Sequence, residues 1–90
     1  DWTDFFGDAN NNPEKELIKN IFWETLNEAL DELPKEQRNV FIMHELEDFS
    51  FKDISAKTGD SINTLLARKR YAVLYLRKRL QTLRNELINY

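Results

Sequence analysis

The chain has 90 residues, a formal net charge of −3, 41% hydrophobic residues and no cysteine. That is one folded domain with room for a single modest core, and it excludes both a disulfide framework and a thiolate metal site. No apolar run approaches a membrane span and no signal peptide is visible, so a cytoplasmic protein is the default expectation. The chain starts at Asp1 without Met, which reads as a piece of something longer. Charge is unevenly distributed. Residues 1–60 carry 6 basic and 15 acidic side chains, whereas residues 61–90 carry 7 basic and 1 acidic. Such asymmetry suggests a polyanion-facing second half, or a basic helix answered by the acidic half of the same domain.

Residues 1–12 are polar, contain Gly7 and the run Asn10-Asn11-Asn12, and show no helical period. They read as a linker or arm, within which Trp2, Phe5 and Phe6 are suited to dock on this domain or on a neighbour. Residues 13–90 form the domain. Pro13 or Glu14 opens a first helix, with Glu14 and Glu16 near its positive dipole end. Leu17, Ile18, Ile21, Phe22, Leu26, Ala29, Leu30 and Leu33 recur at three- and four-residue steps and predict a wide apolar stripe. Trp23 lies off it, as a core-edge cap or a partner contact. Pro34 starts a second helix where its missing N–H costs nothing. Val40, Phe41, Ile42, Met43 and Leu46 place apolar groups around most of this helix, which predicts a central, well-buried element. His44 is the only histidine, and no second ligand follows it at metal-binding spacing.

The segment Ser50–Leu80 organises the rest. Ser50 and Asp53 have the spacing of a capping box, flanked by Phe49 and Ile54 at the positions of a hydrophobic staple. Gly59 supplies the permissive backbone that ends this short helix. Ser61 offers a second N-cap, and no Pro or Gly follows it. A short helix, a three-residue turn and a longer basic helix make a helix-turn-helix. In the long helix Leu65, Ala72, Leu76, Leu80, Leu83 and Leu87 form one seam, interrupted by Lys69. The end of that seam needs a cover, from the first helix or from another copy. No catalytic constellation is present: the carboxylates are scattered, no glycine-rich phosphate loop occurs and the lone His has no nucleophile. The expectation is a non-enzyme without cofactor or metal.

The run from Ala29 to Leu80 resembles the C-terminal DNA-binding domain, region 4, of sigma-70 family factors, with the extracytoplasmic-function group the nearest match. The resemblance rests on Leu30, Leu33, Pro34, Gln37 and Arg38 in an L-x-x-LP-x-x-QR segment, and on Ser50, Asp53 and Ile54 in the first helix of the motif. It continues through Gly59, Ser61, Thr64, Leu65, Arg68, Ala72, Leu76 and Leu80. It implies an all-α fold of four helices: a helix-turn-helix of the three-helical-bundle, winged-helix-like type, with an N-terminal arm and an extended last helix. It implies recognition of the −35 promoter element as duplex DNA, and docking on the flap of the RNA polymerase β subunit. An anti-sigma factor is a further implied partner, and no membrane is involved.

A helix presented N-terminus first to the major groove reads bases with its first turns. On that count Asn63, Leu66, Ala67, Arg70 and Tyr71 are the base-reading candidates. Arg70 suits a guanine, Asn63 a base edge or phosphate, and Leu66 or Ala67 a thymine methyl. Lys52, Lys57, Arg68, Lys69, Arg77 and Lys78 are the phosphate candidates. Arg68 could instead bridge back to Asp53 across the two helices. Tyr71, Leu66, Lys69, Asp60 and Ser55 depart from the family pattern, so the promoter code does not carry over. Two other readings fit the same sequence. One is a helical interaction module that has lost DNA binding; the other is the helix-turn-helix output domain of a response regulator.

Overall fold

The computed structural model describes residues 13–88, so the reading of residues 1–12 as an arm lies outside the described residues. Four helices follow one another with no strand among these residues: α1 (Pro13–Glu32), α2 (Lys35–Phe41), α3 (Phe51–Thr58) and α4 (Ile62–Ile88). The chain is all-α, as expected. Pro13 is the first residue of α1, where its missing N–H would have had no intrahelical partner. Pro34 is the N-cap of α2 at φ −53° and ψ 143°, leaving Arg38 N–H to donate to its carbonyl at 3.0 Å.

Two apolar clusters stack along α4. In the first, Leu26, Ala29, Leu30 and Leu33 of α1 and its exit meet Phe41 of α2 and Ala72 and Leu76 of α4. In the second, Val40 of α2, Ile54 of α3 and Leu65 of α4 are each at most 2% exposed, with Met43, Phe49 and Phe51 packed around them. Most of the hydrophobic driving force sits in these side chains, at roughly 1.5–3 kcal/mol for each fully buried aliphatic or aromatic group. Since α4 contributes to both clusters, its first turns are held by α2 and α3 and its middle by α1.

Three expectations are corrected. Leu17, on the predicted stripe of α1, is 59% exposed; Ile18, Ile21 and Phe22 are half-buried, and the stripe is fully buried only at Leu26, Ala29, Leu30 and Leu33. The second helix is not buried all round: Val40 and Phe41 are buried, Ile42 and Met43 half-buried, and Leu46 is 50% exposed. Its end widens into a π-helical turn, Ile42–Leu46, with Glu47 N–H donating to the Ile42 carbonyl. Asp48, in the left-handed region at φ 60°, then reverses the chain, and Phe49 N–H donates to the Met43 carbonyl at 2.9 Å. Third, the α4 seam is buried at Leu65, Ala72 and Leu76, half-buried at Leu80 and Leu83, and exposed at Leu87. Beyond Leu76 it lines an open groove against the first turns of α1, with Ile18 and Phe22 opposite Leu83 and Leu87.

Candidate nucleic-acid interface

The local chemistry of α3 and the turn sets how α4 is presented. Ser50 Oγ accepts from Asp53 N–H at 3.0 Å, and the Asp53 carboxylate accepts from Ser50 N–H at 3.4 Å, so the capping box forms. Gly59 caps the other end at φ 80°, with its N–H donating to the Ser55 carbonyl. That backbone region strains any residue with a Cβ. The turn Gly59–Ser61 is then tied three times. Ser55 Oγ donates to the Asp60 carbonyl at 2.6 Å, Asp60 N–H donates to Thr58 Oγ1, and Ser61 Oγ accepts from Thr64 N–H to start α4. Ser55 thus does more than the small residue expected at that position.

Asn63, Leu66, Ala67, Arg70 and Tyr71 are all exposed, at steps of three, one, three and one along the first turns of α4. This is one helical face, opposite the buried Leu65 and Ala72 that seat the helix. Leu66 is 45% and Tyr71 60% exposed. The face combines an amide, a guanidinium, a phenol, a methyl and an isobutyl group, which can hydrogen-bond and pack against base edges.

The six phosphate candidates separate into two groups. Lys52, Lys57, Arg77 and Lys78 are exposed. The Lys57 ammonium lies over the Phe49 ring, 4.6 Å from its centroid, a cation–π contact at an exposed residue. Arg68 and Lys69 are half-buried and bound internally. Arg68 Nη1 pairs with Asp60 Oδ2 at 2.8 Å. The bridge expected to Asp53 is therefore replaced by one to the turn, because the Asp53 carboxylate faces the Ser50 N–H of its own capping box. Lys69 lies on α4 between Leu65 and Ala72, its side chain 14% exposed, and its ammonium donates to Glu45 Oε1 and to His44 Nδ1. An ammonium can only donate, so Nδ1 serves as the acceptor. His44 in turn stacks on Phe51 at 4.1 Å between ring centroids. Sequence reasoning named neither Glu45 nor Phe51 in this role. The signal was present as a single cation within an apolar seam, which requires a partner.

A second polar assembly joins α1 to α4. Arg79 donates to Glu32 Oε1 through Nε at 2.8 Å and to Oε2 through Nη2 at 3.1 Å, while the Tyr75 hydroxyl donates to Glu32 Oε1. Arg79's hydrogen bonds, then Tyr75's, hold the Glu32 carboxyl below its ordinary pKa. The bond to Glu32 raises that of Tyr75. This pairing also answers the negative charge that Glu32 places at the C-terminal end of the α1 dipole.

A short helix capped by glycine, a tied turn and a long helix with a polar, exposed leading face together define a helix-turn-helix DNA-binding domain. Comparison with protein families places it further: the family model Sigma-70, region 4 matches residues 23–68. The chain belongs to the sigma-70 region 4 family, whose domains bind DNA and read the −35 element in sigma factors; it is a regulatory rather than a catalytic class. No curated protein and no solved structure matches the chain. Among the described residues there is no group of three or more side chains able to hold a metal, and no helix long and apolar enough to cross a membrane.

Proposed function

We propose that the chain is the −35-reading domain of an alternative sigma factor of the extracytoplasmic-function type, acting in transcription initiation and docking on the RNA polymerase core through the β-subunit flap. One observation carries the DNA-reading part: Asn63, Leu66, Ala67, Arg70 and Tyr71 share a single exposed face on the first turns of α4. In this reading α4 enters the major groove N-terminus first. Arg70 takes a guanine edge, Asn63 a base edge or phosphate, and Leu66 and Ala67 thymine methyls, beside Tyr71. Lys52, Lys57, Arg77 and Lys78 contact phosphates and set the register. Arg68 and Lys69 are assigned to holding the turn and the core instead, since both are engaged internally. An anti-sigma factor would act by covering the same face. Residues 1–12 stand outside this domain as the arm, and the compartment is the cytoplasm, where the promoter and polymerase are.

The test is an amide NMR titration with short duplexes, followed by affinity measurements over a range of salt. Each neutralised phosphate contributes about −0.9 to the slope of log K against log salt, so four contacts give roughly −3 to −4. Shifts centred on Ser61–Tyr71 with that slope support the reading. The exposed Leu66, Tyr71 and Leu74 favour one competitor, a protein-interaction module on the same fold. No shifts on this face, in a chain with a folded spectrum, would select that competitor.

A further inference from the structure

Lys69 interrupts the apolar seam of α4 and is held from the π-helical turn, where Glu45 Oε1 and His44 Nδ1 both accept from its ammonium. An ammonium can only donate, so Nδ1 is the accepting nitrogen of a neutral ring. His44 is half-buried, stacks on Phe51 of α3 and is the only histidine of the chain. The charged groups against the ring are Lys69 of α4 and Glu45 of its own turn; α3 brings Phe51, which carries no charge. Lys69 and Phe51 also line an open cleft of about 350 Å³, together with the exposed Arg70, Leu74 and Arg77. No carboxylate lines that cleft.

Protonation reverses the part that Nδ1 plays. A proton taken from solvent turns it from an acceptor into a donor, and the hydrogen bond from Lys69 is lost. Two cations then compete for one carboxylate. Glu45 Oε1 stands 3.9 Å from Nδ1, close enough to take the new N–H once the bridging ammonium leaves. We propose that His44 and Lys69 form a proton-operated latch on DNA binding. A neutral His44 keeps Lys69 inside the domain; a protonated His44 takes Glu45 and turns Lys69 out through the cleft, to a phosphate beside Arg70 and Arg77. The long flexible stem of lysine allows that turn, and the cleft already opens next to its ammonium. Beside two guanidinium groups a freed ammonium has no counter-charge until a phosphate arrives, so proton uptake and DNA binding reinforce each other. The phosphate in this scheme rests on the DNA reading proposed above; the switch itself does not.

Histidine is the side chain that changes charge between pH 5 and 8, so a chain with one histidine makes the test direct. Without DNA, nuclear Overhauser contacts between the Lys69 ε-methylene and the His44 ring should be present at about pH 8 and lost at about pH 5.5. Their loss should share the midpoint of the His44 ring signals. Contacts that persist at the lower pH overturn the latch, whatever the domain does with DNA. With a duplex, the slope of log K against log salt should steepen by about 0.9 from the higher pH to the lower, one added phosphate contact. His44→Gln, which keeps a neutral acceptor, and Lys69→Met should each hold one slope at both pH values. A constant slope in the parent, with DNA still bound, overturns the latch and leaves the DNA reading intact. A steepening that survives in Lys69→Met also overturns it, since the imidazolium charge would then act without Lys69.

Discussion

Arg70 and Lys69 are neighbours in sequence with the same formal charge, yet they have opposite situations. Arg70 is exposed on the leading face of α4, while Lys69 is half-buried and held by Glu45 and His44. If Arg70 reads a guanine, Arg70→Ala weakens binding to the preferred duplex by about 1–3 kcal/mol and relaxes selectivity at one base pair. Binding measured against a panel of single-base variants checks this, and unchanged selectivity would remove Arg70 from the reading face. Lys69→Met should behave differently. Replacing a largely buried ion-paired side chain with an apolar one of similar length is often neutral or stabilising, so folding stability should stay within about 1 kcal/mol or rise. Its salt slope for DNA should match that of the parent. A slope reduced by about one would mean that Lys69 contacts a phosphate after all.

At the scale of elements, α3 is only eight residues long and depends on its ends more than on intrinsic propensity. Ser50→Ala removes the acceptor for Asp53 N–H and should destabilise the domain by about 1 kcal/mol, measured by urea unfolding. Gly59→Ala acts at the other end. Nothing lies within 4 Å of an added Cβ, so the cost is conformational alone, about 1–2 kcal/mol for holding alanine at φ 80°. Larger losses than these would indicate that the turn and the start of α4 come apart together. The capping box, the glycine stop and the second cap at Ser61 were legible in the sequence, because each is a short-range rule linking residues three to five apart. The π-helical turn at Ile42–Leu46 was not legible: its apolar spacing reads as an ordinary helix, and the wider winding shows only in the bond from Glu47 N–H to the Ile42 carbonyl.

For the whole molecule, the Glu32–Tyr75–Arg79 assembly ties the first helix to the last across more than forty residues of chain. Because the folded Glu32 carboxyl has a lowered pKa, it binds its proton less readily folded than unfolded. Its contribution to stability is therefore complete above the ordinary glutamate value of about 4.3, and is lost as pH falls through the lowered folded value. Glu32→Gln should accordingly be less stable than the parent near neutral pH, with the difference shrinking as acid is added. Unfolding followed by circular dichroism along the acid limb measures this, and a difference constant with pH would exclude the carboxylate as its source. Tyr75, with its raised value, contributes stability that is complete below the ordinary tyrosine value of about 10 and is lost as pH rises through its folded value.

By itself the sequence determined the helices, their caps, the helix-turn-helix and the face of α4 that carries Asn63, Leu66, Ala67, Arg70 and Tyr71, since all of these follow from periodicity and from rules acting within a few residues. Tertiary structure alone decided the pairings between distant segments: Lys69 with Glu45, Arg79 with Glu32, and Arg68 with Asp60 rather than Asp53. It also decided where the apolar stripes stop being covered, at Leu17 on α1 and at Leu87 on α4. Periodicity says which face of a helix is apolar. How much of that face is covered depends on the length and crossing of its neighbours, which only the assembled bundle sets.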